Sequence, residues 1–155
     1  MIDRQLKYGR VEHERRFLLR SFPPDFRIER QCKILDRYLH ETRLRLRRMI
    51  CSDGSTVFKL ARKLPPLSPG SSVMGNLYLE QTEWRQLSSL PASELQKQRC
   101  YQDDWAVDVF EWDLAGLVLA ESERDTREAL SGLEPPFDVV AEDGAYIGGV
   151  IAPGV

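Results

Sequence analysis

Residues 43–47 read Arg43-Leu44-Arg45-Leu46-Arg47, arginine and leucine alternating without a break. A period of two is the period of a β-strand, because successive side chains leave opposite faces. One face of this strand is therefore apolar and the other carries three like charges. An ordinary half-buried strand sets apolar residues against mixed polar ones, and like charges opposite one another across a ladder repel. The arginine face needs a reason.

Other strands repeat the pattern. Lys59 and Lys63 share a face opposite Phe58 and Leu60, and Glu12, Glu14 and Arg16 lie opposite Val11 and Phe17. Glu121 and Glu123 share a face with Leu119 and Asp125, opposite Val118 and Ala120. Any one such face is most simply a solvated one, since charged residues are rarely buried. Four of them, sorted by sign, fit a closed barrel that gathers basic and acidic strands around one cavity. Arginine forks and lysine ammonium groups match phosphate oxygens. Mg²⁺ or Mn²⁺ takes carboxylate and phosphate oxygens together, and two carboxylates two residues apart on a strand aim at one point. The chemistry suits a metal-bound polyphosphate.

The remaining elements follow from breaks and periodicity. Strands are expected at Val11–Leu19, in one long run from Lys33 or Ile34 to Met49, at Thr56–Lys63 after the turn Ser52-Asp53-Gly54-Ser55, and at Leu77–Leu79. Asp-Gly between two alternating runs is a hairpin signal. Leu64–Asn76, rich in Pro, Gly and Ser, reads as a loop. Glu80–Leu90 reads as a helix that buries Trp84, Leu87 and Leu90 together with Leu79. Lys97–Gln102 and Trp105–Trp112 flank a second hairpin at Asp103-Asp104, Leu117–Arg124 is a further strand, Thr126–Leu130 a helical turn, and Tyr146–Ile151 the last element. Strands at short spacing with few helices predict an α+β fold with a mainly antiparallel sheet, one domain over residues 1–155.

A chain of 155 residues, 42% hydrophobic and 30% charged, is globular in composition. Its net charge of −2 gives no global attraction to nucleic acid or an anionic membrane. The polar start MIDRQLKYGRVEHERR offers no signal peptide, and no stretch approaches the ~20 apolar residues of a membrane span. Three cysteines, Cys32, Cys51 and Cys100, form no Cys-x-x-Cys pair; free thiols in a reducing cytoplasm are the expectation.

The segments VEHERRFLL (11–19), DRYLHETRLRLRR (36–48), VFKLARK (57–63), KQRCY (97–101) and WAVDVFEWDLAGLVLAESE (105–123) occur in one order, with GAYIGGVIA (144–152) at the end. Together they resemble, collinearly, the signature strands of the CYTH superfamily, the triphosphate tunnel metalloenzymes. The resemblance implies an eight-stranded antiparallel β-barrel, a tunnel with a few short helices packed outside. It also implies hydrolysis or rearrangement of a triphosphate with Mg²⁺ or Mn²⁺. Carried over by position, it makes Glu12, Glu14, Asp108, Glu121 and Glu123 metal ligands, and Arg45, Arg47, Lys59, Lys97 and Arg99 phosphate-binding bases, with Arg43 and Lys63 adding charge to the same faces. Arg16 stands where the family has a lysine and, with Glu14, is the candidate catalytic position. The substitution keeps the charge but loses a readily deprotonated amine. Asn76-Leu77-Tyr78-Leu79 lacks a second acidic pair, which implies a variant metal site, and the closing segment lacks the family's Trp-Leu-Gly.

The expected activity is metal-dependent hydrolysis of inorganic tripolyphosphate in a cytoplasmic protein, with a homodimer as the weaker expectation for assembly. The alternatives are a class IV adenylyl cyclase, a thiamine triphosphatase and a non-catalytic binder of polyphosphate or a nucleoside triphosphate. Tyr78, Trp84 and Trp105 are the aromatic residues that would serve an organic group at the tunnel mouth; core packing is their commoner role. His13 and His40 carry no ligand role.

Overall fold

The alternating runs do form strands, and the strands close on themselves. The computed structural model describes residues 7–142. In chain order the strands are β1 (Arg10–Leu19), β2 (Arg30–Leu39), β3 (Leu44–Cys51), β4 (Thr56–Lys63), β5 (Ser71–Leu79), β6 (Ala92–Gln102), β7 (Trp105–Phe110), β8 (Val118–Arg124) and β9 (Val139–Glu142). Helices α1 (Gln81–Leu87) and α2 (Arg127–Ser131) and a 3₁₀ turn at Trp112–Leu114 complete the described elements. The ladder runs β5-β4-β3-β2-β6-β7-β8-β1, every pair antiparallel, and β1 closes it by pairing Arg10–His13 with Ser71–Met74. This is the eight-stranded barrel. β9 lies outside the ring, on the Phe17–Leu19 end of β1. Between those two partners the backbone of Gly70 fills the edge, accepting the Glu14 N–H at 2.9 Å. A Cβ on Gly70 would stand 2.9 Å from the Glu14 carbonyl oxygen, and its φ of +80° is itself one that favours glycine.

Period two separates the inside of the barrel from the outside. The outer face carries a core of Phe17, Leu19, Cys100, Trp105, Val107, Val118 and Ala120, covered by Phe26 and by half-buried Phe22 and Phe137. On β2 and β6 the inner face is charged only in the middle. Along β2 it reads Cys32, Ile34, Asp36, Tyr38, and along β6 Leu95, Lys97, Arg99, Tyr101. Cys32 and Ile34 pack with Met49 and Cys51 in one inner cluster, and Leu95 with Phe110 and Leu119 in another. Apolar side chains thus flank a charged belt.

Several sequence expectations are corrected. The long strand over 33–49 is a hairpin, β2 and β3. Its turn contains neither Gly nor Pro: Glu41 takes φ 60°, and both the amide and the hydroxyl of Thr42 donate to the Leu39 carbonyl. The loop Leu64–Asn76 ends early, because Ser71–Asn76 belongs to β5, whose Ser71, Ser72 and Val73 are buried in register with β1. Helix α1 is shorter than Glu80–Leu90 and buries no residue fully; Trp84 and Leu87 are half-buried and Leu90 is exposed. Its start is as expected, with Glu80 and Glu83 forming a reciprocal capping box. Two of the three cysteines are not free: Cys32 and Cys51 are cross-strand partners joined by a disulfide, leaving Cys100 buried as a thiol. The β9 strand went unread, and the closing segment 144–152 lies outside the described residues. No helix among the described residues is long and apolar enough to cross a membrane.

Candidate functional site

Every charged candidate read from the sequence lines one cavity of about 700 Å³ inside the barrel. β3 contributes Arg45 and Arg47, β4 contributes Lys59 and Lys63, and β6 contributes Lys97 and Arg99. β1 and β8 bring Glu12, Glu14, Arg16, Glu121 and Glu123, and β7 brings Asp108. Arg43 belongs to the turn before β3 rather than to the strand, and reaches the cavity from an exposed position. The lumen has a basic side on β3, β4 and β6 and an acidic side on β1 and β8.

On the basic side, two arginines are held by carboxylates directly opposite in register. Arg47 donates from Nε and Nη2 to the two oxygens of Asp36, at 2.6 and 2.8 Å, across β2–β3. Arg99 does the same to Asp108, at 2.7 and 2.8 Å, across β6–β7. Lys97 adds a 2.8 Å contact to Asp108 and Arg99 a 2.8 Å contact to Glu121. Arg45 and Lys59 are different. Arg45 Nε stands 3.8 Å from Asp36, and among the described residues this buried nitrogen has no hydrogen-bond partner. Lys59 makes no ion pair within 4.0 Å among them, and lies 5.9 Å from the centre of the Tyr78 ring.

The proton equilibria reflect burial first, together with this excess of positive charge. Burial, then Arg47 and Arg45, push the Lys59 ammonium down to about 8. Burial also brings Lys97 to about 8, with Arg99 and Arg47 opposing the help of Asp108. Burial and Arg47 lower Arg45 as well. Groups depressed this way gain when an anion arrives.

The acidic side is crowded in the opposite sense. Burial, then the neighbouring Glu14, raises the Glu12 carboxyl to about 7. Burial and Glu121 also resist ionisation of Glu14, but Arg16 and Lys63 outweigh them and hold it below the usual range. Lys63 Nζ lies 2.8 Å from Glu14 and 4.0 Å from Glu12. Arg16 is wedged between Glu14 at 2.7 Å and Glu121 at 3.0 Å. Despite its burial, these two carboxylates raise its pKa further, so it stays a cation. Glu123 pairs at 2.9 Å with the exposed Arg10.

Asp36 is the functional-site residue that the sequence reading missed. A lone acid in DRYLHETRLRLRR has no periodic partner to mark it, although an acid two strand positions from Tyr38 on an inner face was the available signal. Where a second acidic pair was absent, Asn76 and Tyr78 line the cavity. Trp84 instead packs on Phe58 and Arg48, and Trp105 belongs to the outer core. His13 bonds to Ser71 Oγ and His40 to Ser93 Oγ.

No family model and no curated protein matches the chain. Solved structures do. Two are of NE1496, one of them described as an inorganic triphosphatase. They are 21% and 22% identical to this chain, with TM-scores of 0.59 and 0.57, and each alignment covers 93% of it and 99% or 95% of NE1496. A third, HpAC1 from Hippeastrum, a candidate adenylyl cyclase with a dominant triphosphatase activity, is 14% identical over 78% of this chain and 83% of its own, with a TM-score of 0.50. At these identities the likeness establishes the fold: the chain has the barrel that its signature strands imply.

Proposed function

We infer that this barrel hydrolyses the terminal phosphoanhydride of a triphosphate, inorganic tripolyphosphate being the substrate that its lining fits best. One observation carries the reading. Arg45 and Lys59 line the cavity with no carboxylate hydrogen-bonded to them among the described residues, beside the two forked arginines Arg47 and Arg99. A small polyanion satisfies all four at once. The triphosphatase NE1496 and HpAC1, which share the fold, lend support.

Among the described residues no three His, Cys, Asp or Glu side chains form a closed metal cage. What the acidic side offers is a crowded pair, Glu12 and Glu14, with Glu123 close by. Mg²⁺ is commonly held by one or two carboxylates together with substrate phosphates, so this donor set fits a metal that binds with the triphosphate. Glu12 and Glu14 would hold it, and it would supply charge neutralisation and polarisation of the phosphate oxygens.

The chain's own groups do the rest. Arg47, forked by Asp36, and Arg99, held by Asp108 and Glu121, present their remaining N–H groups to the phosphate chain. Arg45 and Lys59 take the non-bridging oxygens and stabilise the charge that develops on the leaving oxygen. Arg16, firmly cationic, orients Glu14 and Glu121 and accepts no proton. The proton of the attacking water goes to a carboxylate on the acidic side. Asp108, with both oxygens bonded to Arg99 and one also to Lys97, serves these bases.

Phosphate release from tripolyphosphate, ATP and thiamine triphosphate, with and without Mg²⁺, tests the reading. Mg²⁺-dependent release, fastest from tripolyphosphate, is expected. Tight binding of tripolyphosphate without release would instead make the barrel a binder whose Arg16 marks lost turnover.

A further inference from the structure

Asp36 is 0% exposed. A buried carboxylate is costly unless charge and hydrogen bonds answer it. Here Arg47 takes both oxygens in a planar fork, at 2.6 and 2.8 Å, and Arg45 adds its field from 3.8 Å. Both Asp36 oxygens are engaged by Arg47, and its charge repels a phosphate. Whatever it does for a triphosphate it does through another side chain.

The fork is specific about what it occupies. It uses Nε and Nη2 of Arg47 and leaves Nη1 outside the fork, on a residue that lines the cavity. An arginine stem has several rotatable bonds, and ordering it on binding costs affinity. A fork with a cross-strand partner orders it beforehand. The same geometry recurs at Arg99 and Asp108, on a different pair of strands. Arg45, at 3.8 Å, lies beyond hydrogen-bond reach of the same aspartate, so the fork belongs to Arg47 alone.

We propose that Asp36 is a positioning residue of the anion clamp, fixing Arg47 so that its free edge and the unbonded Arg45 meet the triphosphate in a preset geometry. The proposal rests on the triphosphate reading, but is tested by binding rather than turnover.

Tripolyphosphate affinity without metal is measured by calorimetry for the wild type, Asp36→Asn, Arg47→Met and the double variant Asp36→Leu/Arg47→Met, with phosphate release followed in parallel. Asp36→Asn is expected to weaken binding about tenfold, the loss of a hydrogen bond to a charged group. The double variant is expected to bind as Arg47→Met does, within about twofold, because Asp36 acts through Arg47. The apolar pair can fill the place of a buried ion pair without leaving a charge unpaired, so it decides the matter if Asp36→Asn does not fold. A folded Asp36→Asn with lowered Tm and wild-type affinity overturns the proposal, as does a double variant clearly weaker than Arg47→Met. Wild-type binding without release refutes hydrolysis alone; no wild-type binding refutes both.

Discussion

The two sides of the lumen are charged alike in density and opposite in need. On β3, β4 and β6 the bases outrun their counter-ions, and Lys59 and Lys97 are pushed down to about 8. On β1 and β8 the acids crowd, and Glu12 is pushed up to about 7. Burial, reinforced by like charges nearby, strains each side toward neutrality. A ligand that brings an anionic chain to one and a cation to the other relieves both, which is more than a plain anion or a lone metal can do. The contrast also separates residues that look equivalent in sequence. Arg47 and Arg99 have fixed carboxylate partners, whereas Arg45 and Lys59 await one.

The harshest test of this contrast is on the basic side. Arg45→Ala should lower kcat/KM for tripolyphosphate by about 10²–10³, the scale of a lost preorganised donor. A fall of less than about fivefold would break the comparison, since the unpaired donor would then have no ligand. Next comes the acidic side. Glu12→Gln and Glu14→Gln should each cost at least about tenfold in Mg²⁺-dependent release, while metal-free binding of tripolyphosphate holds or tightens as a negative charge leaves. Weakened metal-free binding would mean that the acids only scaffold the bases.

A smaller effect follows from Lys59. An anion favours its protonated form, so metal-free affinity should be highest below pH 8 and decline as pH rises through about 8. Lys59→Met should remove its share of that limb and leave the share of Lys97, which is pushed down to the same range. Stability without ligand runs the other way. The folded pKa of about 8 lies below the ordinary 10.5, so the unfolded chain binds more protons in between, and stability from this group rises with pH across that window. A thermal melt series from pH 7.5 to 10.5, with and without tripolyphosphate, checks both signs. The smallest effect belongs to the rim. Arg10 and Glu123 are paired but exposed, so Arg10→Ala should change stability by under about 1 kcal/mol. A larger loss would show that the rim shares the character of the lumen.

The barrel was legible because its interior is charged. Inward Arg45 and Arg47 against outward Leu44 and Leu46 leave a period-two signal stronger than an apolar interior would. The residues that escaped are those whose role depends on register. Asp36 looks like an ordinary polar position until β2 is laid beside β3 and finds Arg47 opposite. The same pairing joins Cys32 to Cys51, which an odd cysteine count argues against. The 40–43 turn is made by Glu41 in a left-handed conformation, with none of the residues that announce turns. The first part of β5, Ser71–Asn76, follows a Pro, Gly and Ser-rich stretch and becomes a strand through Val73 lying beside Val11, a pairing too distant in sequence for local propensity to reveal.

One feature of the ring bears on how the molecule comes together. The two arginine forks join residues 11 and 9 positions apart, within the hairpins β2–β3 and β6–β7. The Arg16–Glu121 contact spans 105. Loop closure delays distant pairings relative to local ones. The forks can therefore form within their own hairpins, whereas the carboxylates of β1 and β8 meet only when β1 closes the ring. A transient opening along β1 would then scatter the acidic side and leave both forks standing, so a metal ion would escape by a route that a phosphate chain still gripped by the forks does not share.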